Sequence, residues 1–165
     1  MSSPLSSLQF SLPLPEDTDR LAAQLAHAIA HYQSDWQPLG LTLELNGDLG
    51  AGKTSFTRAM LRAWNFTGPV KSPTFSLVET YSVLGVTFNH FDFYRFETPE
   101  EFDEAGFRDL FGPEQICATE WSSKAQPYVP NADVRIMLTV DGLGRQATLQ
   151  ALTPIGHTLL NQLEK

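Results

Sequence analysis

Apolar residues recur along this chain with two periods, and their alternation lays out a β–α order. Residues 8–12 predict a short edge strand, interrupted by Pro13 and Pro15. Leu21, Leu25, Ala28 and Ile29 then fall at helical spacing, which predicts a helix capped by Asp17 or Thr18 and running to about Gln33. Gln37-Pro38 breaks it. Residues 39–45 alternate as a leucine-rich strand. A glycine-rich stretch begins at Gly47, and a second helix starts near Lys53 with Phe56, Ala59, Met60 and Ala63 on its buried face.

The rhythm changes after Pro69. Residues 70–74 read as a loop, and residues 75–83 and 86–93 read as two strands folded into a hairpin at Leu84-Gly85. Thr98-Pro99-Glu100-Glu101 has the form of a helix start: an N-cap, a proline at the first helical position and a capping-box glutamate at the third. That helix is expected to end near Gly106. Residues 115–120 form a short apolar strand. Residues 134–140 and 146–152 pair through Asp141-Gly142-Leu143-Gly144, and residues 155–163 predict a closing helix. With no repeat, low-complexity tract or linker, residues 1–165 are expected to form one α/β domain: a mixed parallel and antiparallel sheet flanked by helices.

Composition sharpens this picture in four places. Apolar residues make up 42% and charged residues 18% of the 165, as a folded chain requires, and eleven phenylalanines supply much of the expected core. The formal net charge of −8 weighs against direct contact with bare RNA or DNA, whose affinity rests on neutralised phosphates; direct tRNA binding and DNA binding are not expected. The single cysteine, Cys117, can form neither an internal disulfide nor a thiolate cluster, and its apolar neighbours Ile116 and Ala118 predict a buried thiol. No apolar run is long enough to span a bilayer, and Met1-Ser2-Ser3-Pro4-Leu5 lacks a basic stretch followed by an apolar core; the expected location is cytoplasmic.

The chemistry is concentrated in Gly47-Asp48-Leu49-Gly50-Ala51-Gly52-Lys53-Thr54, which fits G-x-x-x-x-G-K-[ST] at every fixed position between a predicted strand and a predicted helix. Glycines let successive backbone N–H groups converge on one anion. Asp48, Leu49, Gly50, Ala51, Gly52, Lys53, Thr54 and Ser55 are therefore the expected nucleotide-binding residues, for ATP or ADP with Mg²⁺. Lys53 would supply charge to the β- and γ-phosphates and Thr54 a hydroxyl to the metal. Asp92, ending a strand, fits the second metal-side acid such a site needs, or a solvated acid that caps a turn. Arg95 fits a phosphate contact or an ion pair with Asp92 or Glu97. No pair of histidines has metal-ligand spacing. His27, His31 and His157 read as surface or packing residues; His90 reads as packing, with a possible hand in orienting Asp92.

Together with this loop, Ser72-Pro73-Thr74-Phe75, His90-Phe91-Asp92-Phe93-Tyr94-Arg95 and Glu120-Trp121 resemble, in order and spacing, the TsaE (YjeE) family of bacterial ATPases, from about Leu41 to Lys124. That family acts in making threonylcarbamoyladenosine on tRNA. The resemblance implies a P-loop NTPase sandwich in which Lys53, Asp92 and Glu120 are catalytic and Thr54, Asp92 and Glu120 lie on the metal side. Thr74 would be a switch threonine, Glu120 the group that orients or activates water, and Trp121 the aromatic beside the nucleotide. It also implies TsaD- and TsaB-type partners, with slow intrinsic ATP hydrolysis that the partners stimulate. Read alone, Ser72-Pro73-Thr74 fits a simple turn, Glu120 a strand-end acid and Trp121 a core residue. A small-molecule kinase and a non-hydrolysing ATP-binding module stay open as alternatives. A GTPase is disfavoured, because no Asn-Lys-x-Asp segment appears.

Overall fold

In the computed structural model, which describes residues 3–48 and 50–163, seven strands form one sheet flanked by helices. In chain order the elements are β1 (Ser6–Leu12), α1 (Pro15–His31), α2 (Gln33–Trp36), β2 (Leu41–Asn46), α3 (Lys53–Ala63), β3 (Val78–Val83), β4 (Val86–Asp92), α4 (Glu101–Glu104), β5 (Gln115–Glu120), β6 (Val134–Asp141), β7 (Gly144–Ala151) and α5 (Pro154–Leu160). The order across the sheet is β1-β7-β6-β2-β5-β4-β3. The inner strands β6, β2, β5 and β4 run parallel, and antiparallel partners close both margins. The mixed sheet expected from the pattern is thus present, with β2 at its centre.

The alternation of β2 reports its two faces. Leu41, Leu43 and Leu45 are all buried against the face carrying α1 and α3, where the main core also takes in Leu25, Ile29, Phe56, Met60 and Phe88. Thr42, Glu44 and Asn46 point to the opposite face, where the Glu44 carboxylate accepts from Arg135 Nε at 2.6 Å and from the Asn46 amide at 2.8 Å. The opposite face of β4 and β5 carries a second core, built from Phe91, Phe93, Phe96, Phe102, Phe107, Cys117, Ala125 and Val129. Its rings meet at centroid distances of 5.0–6.4 Å in stacked, tilted and edge-to-face pairs, within the separation at which aromatic rings attract. Most of the phenylalanines do build the core; Phe75, 83% exposed, does not.

Several boundaries differ from the pattern, each for a local reason. Helix α1 begins at Pro15, with Asp17 as its third residue rather than its cap: the Asp17 carboxylate accepts the Leu14 N–H at 2.9 Å. It stops at His31, and the one-turn α2 follows. Strand β3 begins at Val78, not at residue 75. Residues 74–76 turn instead, closed by the Leu77 N–H on the Pro73 carbonyl at 2.8 Å, with Leu77 at φ 71°. The helix expected from Thr98 to Gly106 shrinks to the single turn α4. Glu101 still reaches back to the Thr98 N–H at 2.9 Å, as a capping box demands, but Phe102 and Phe107 are drawn into the aromatic core and the chain turns at Gly106, φ 75°. Two 3₁₀ turns, Phe107–Leu110 and Ser122–Ala125, cover the same core. No described helix is long and apolar enough to cross a membrane.

Cys117 sits on the aromatic face of β5 with no exposed surface, and its thiol donates to the Leu110 carbonyl at 3.1 Å. Burial pushes the thiol up to about 12 against the smaller opposing effect of the Asn89 amide. Because the thiolate is the reactive form, the native chain should take up no thiol-directed label at pH 8, and the unfolded chain one equivalent. A mass measurement of the labelled protein checks both; native-state labelling at the unfolded rate would contradict the packing described.

Candidate active site

Parallel pairing decides where the polar residues meet. Strands β2, β4 and β5 all end at the same sheet margin, and the register sets Leu45 beside Glu120 and Glu120 beside Asp92. The crevice beyond the carboxyl ends of parallel strands is the usual ligand position in open α/β sheets. Side chains two apart share a face, so His90 and Asp92 on β4, like Ala118 and Glu120 on β5, lie on the α3 side.

The glycine-rich loop leaves β2 at this margin and enters α3. Gly50 and Gly52 have φ of 84° and 105°, a region that L side chains rarely adopt, and a Cβ at either would meet nothing within 4 Å. Both glycines line a cleft of about 640 Å³ with Lys53, Thr54, Ser55, Thr74, Asp92, Glu120 and Trp121. The structure therefore brings nine of the sequence-derived site residues to one cavity. Asp48 and Ala51 belong to the loop without lining the cleft: Asp48 is exposed and its carbonyl accepts the Ala51 N–H at 3.0 Å, while Ala51 is buried. Leu49 lies outside the described residues.

Lys53, Asp92 and Glu120 are each less than a tenth exposed. The Lys53 ammonium donates to the Gly47 carbonyl at 2.6 Å, lies 3.5 Å from Glu120 Oε1 and sits 5.0 Å above the Trp121 ring. Trp121, at φ 58°, turns its indole alongside Tyr94, ring centroids 5.1 Å apart. Asp92 accepts the Tyr94 N–H at 2.9 Å and the Thr74 hydroxyl at 3.4 Å, and Ser72 and Thr74 share a hydrogen bond of 2.7 Å. Burial holds the Asp92 carboxyl above the usual range; the Tyr94 N–H opposes this, and neighbouring Glu120 adds to it.

Two carboxylates side by side, a hydroxyl at the start of α3, a lysine and a glycine-rich turn at a helix N-terminus suit a phosphate chain carrying a divalent cation. Among the described residues no three His, Cys, Asp or Glu side chains cluster as a self-sufficient metal site.

Three contacts were not anticipated. His90 Nε2 is 2.6 Å from Glu120 Oε2, so it meets Glu120 rather than Asp92. The Arg95 guanidinium lies 4.9 Å above the exposed Phe75 ring, in place of an ion pair with Asp92 or Glu97. Arg145, at the start of β7, donates from Nε to the Ala51 carbonyl and from Nη2 to the Gly50 carbonyl, both at 3.0 Å. No local signal marked Arg145, because it follows an ordinary hairpin turn.

A family model described as "Threonylcarbamoyl adenosine biosynthesis protein TsaE" matches residues 12–147. The chain is 44% identical over 117 residues to the tRNA threonylcarbamoyladenosine biosynthesis protein TsaE of Haemophilus influenzae, covering 71% of this chain and 74% of that protein. It is 32% identical over 111 residues to the protein of the same name from Bacillus subtilis, covering 67% and 69% respectively. The crystal structure of Bacillus subtilis YdiB superposes with a TM-score of 0.74 at 26% identity, over 98% of this chain and 96% of that one.

Arg145 lines the same cleft and ties down two carbonyls of the loop, those of Gly50 and Ala51. Arg145→Met removes both hydrogen bonds while keeping much of the stem, and is expected to weaken ATP affinity about tenfold with little change in thermal stability. Titration with a fluorescent ATP analogue measures it; unaltered affinity would dismiss the clamp.

Proposed function

The chain belongs to the TsaE family of tRNA threonylcarbamoyladenosine biosynthesis, and on that premise we propose that it is the pathway's ATP-binding and ATP-hydrolysing component. It drives or resets a TsaD–TsaB complex and does not itself transfer the threonylcarbamoyl group. The observation that carries this reading is the convergence of Lys53, Asp92 and Glu120, from three different elements, on the cleft lined by the glycine-rich loop.

Each residue then has a task. The N–H groups of Gly50 and of Gly52 to Ser55, which line the cleft, would cradle the phosphates, aided by the dipole of α3. Lys53 exchanges the Gly47 carbonyl and Glu120 for phosphate oxygen. Thr54 and Asp92 would hold a Mg²⁺ ion, with Glu120 on the same side, and the ion would supply neutralisation of the phosphate charge. Glu120 orients the attacking water or takes its proton, which requires the anionic form. Trp121 flanks the nucleotide.

Thr74 provides the link to partners. Its hydroxyl bonds Asp92, and the next residue, Phe75, stands exposed under Arg95. A change in how Thr74 engages the metal side therefore moves an exposed aromatic at the surface, which is the switch logic of γ-phosphate-sensing loops. Partner engagement completes the site, so turnover by the chain alone is slow. The compartment that fits is the cytoplasm.

Two variants and one reconstitution test this. Lys53→Ala should abolish ATP binding, read by equilibrium dialysis, with the circular dichroism spectrum kept; retained affinity would sink the phosphate assignment. Glu120→Ala should keep nucleotide and lose partner-stimulated phosphate release, and normal stimulated turnover would remove its catalytic role. Adding the TsaD–TsaB pair to the wild-type chain should raise its ATP hydrolysis strongly. ATP bound without any stimulation would favour an ATP-binding module, or a kinase with another acceptor.

A further inference from the structure

His90 stands out among the buried polar groups. It lies in β4 between Asn89 and Phe91, it has no exposed surface, and its Nδ1 has no hydrogen-bond partner among the described residues. A buried imidazole with one orphaned nitrogen costs free energy that an apolar residue of similar size would not. Packing alone does not account for it. Its other nitrogen does: Nε2 is 2.6 Å from Glu120 Oε2, a charge-assisted contact across the β4–β5 pair.

We propose that His90 is the positioning residue for Glu120, fixing the glutamate carboxylate so that its second oxygen is presented to Lys53 and the cleft. This rests on the reading of Glu120 as the group that acts on water. The geometry divides the carboxylate in two. Oε2 is occupied by His90, and Oε1 lies 3.5 Å from the Lys53 ammonium. A glutamate at a strand end has three rotatable side-chain bonds, and Trp121 directly after it breaks the strand at φ 58°. Without a fixed donor the carboxylate could pivot about those bonds. With Oε2 held, its plane and the direction of Oε1 are set.

The protonation pattern follows from the same contacts. A hydrogen bond to a carboxylate oxygen requires the proton on Nε2, while a proton on Nδ1 would stand unpaired in the interior. His90 donates from Nε2 and keeps Nδ1 bare. Having no exposed surface, it cannot touch a nucleotide and acts only through Glu120.

The experiment measures steady-state ATP turnover for wild type, His90→Gln, His90→Asn, His90→Phe, Glu120→Gln and the Glu120→Gln/His90→Phe double variant, with ATP affinity and thermal unfolding for each. Glutamine carries its amide nitrogen about where Nε2 lies, whereas asparagine falls short. The expected result is that His90→Gln keeps kcat within about threefold of wild type, and that His90→Asn and His90→Phe lose about tenfold to a hundredfold in kcat with KM nearly unchanged. Because His90 acts through Glu120, His90→Phe should cost nothing further in the Glu120→Gln background. Full turnover in both His90→Phe and His90→Asn, equal loss in His90→Gln and His90→Asn, or additive losses in the double variant would each overturn the proposal. Should His90→Phe fail to fold, the Gln and Asn pair decides alone. Full turnover in Glu120→Gln would overturn the catalytic reading of Glu120 and this proposal with it. A slowed but measurable Glu120→Gln with an additive double variant overturns only the role of His90.

Discussion

Asp92 and Glu120 end neighbouring parallel strands directly beside one another, both almost wholly buried. Two carboxylates so held repel and are poorly solvated, and the rest of the site is arranged around that constraint. Lys53 approaches Glu120, His90 caps its other oxygen, and the Tyr94 N–H and Thr74 hydroxyl serve Asp92. The Asp92 carboxyl stays raised nonetheless, chiefly by its burial. Positive charge brought to this margin would offset the repulsion between the two carboxylates.

The scaffold keeps that arrangement rigid on three sides and open on one. The leucine-filled core beneath β2 and α3 anchors the glycine-rich loop, and the aromatic core on the far face fixes β4 and β5. Arg145 reaches across from the β6–β7 hairpin to secure the loop's carbonyls. The remaining side carries the turn of Thr74 and Phe75, which joins Asp92 through the Thr74 hydroxyl and leaves the Phe75 ring exposed.

What could be read from the residues alone was what is local. The strand–glycine-loop–helix unit lies within one contiguous stretch, and both hairpins announce themselves by a two-residue turn between apolar runs. Contacts between distant segments were not legible. His90 meets Glu120 across 30 residues and Arg145 meets Gly50 across 95, each fixed by sheet register rather than by spacing. The shortened α4 has a similar cause: Thr98-Pro99-Glu100-Glu101 carries sound capping chemistry, but burial of Phe102 and Phe107 in the aromatic core outweighed helical propensity. Glu120 and Trp121 entered only through family resemblance, since a strand-end acid and a lone tryptophan carry no signature of their own.

The parallel inner sheet has a kinetic consequence. Neighbours β2, β5 and β4 are joined by long crossovers, not tight turns, so their pairing must close large loops before any contact rewards the entropy lost. The glycine-rich loop is contiguous, yet its counter-charges stand on strands far from it in the sequence. Nucleotide binding is thereby a property of the finished topology, and a nascent chain that has emerged only through α3 holds the motif without the site.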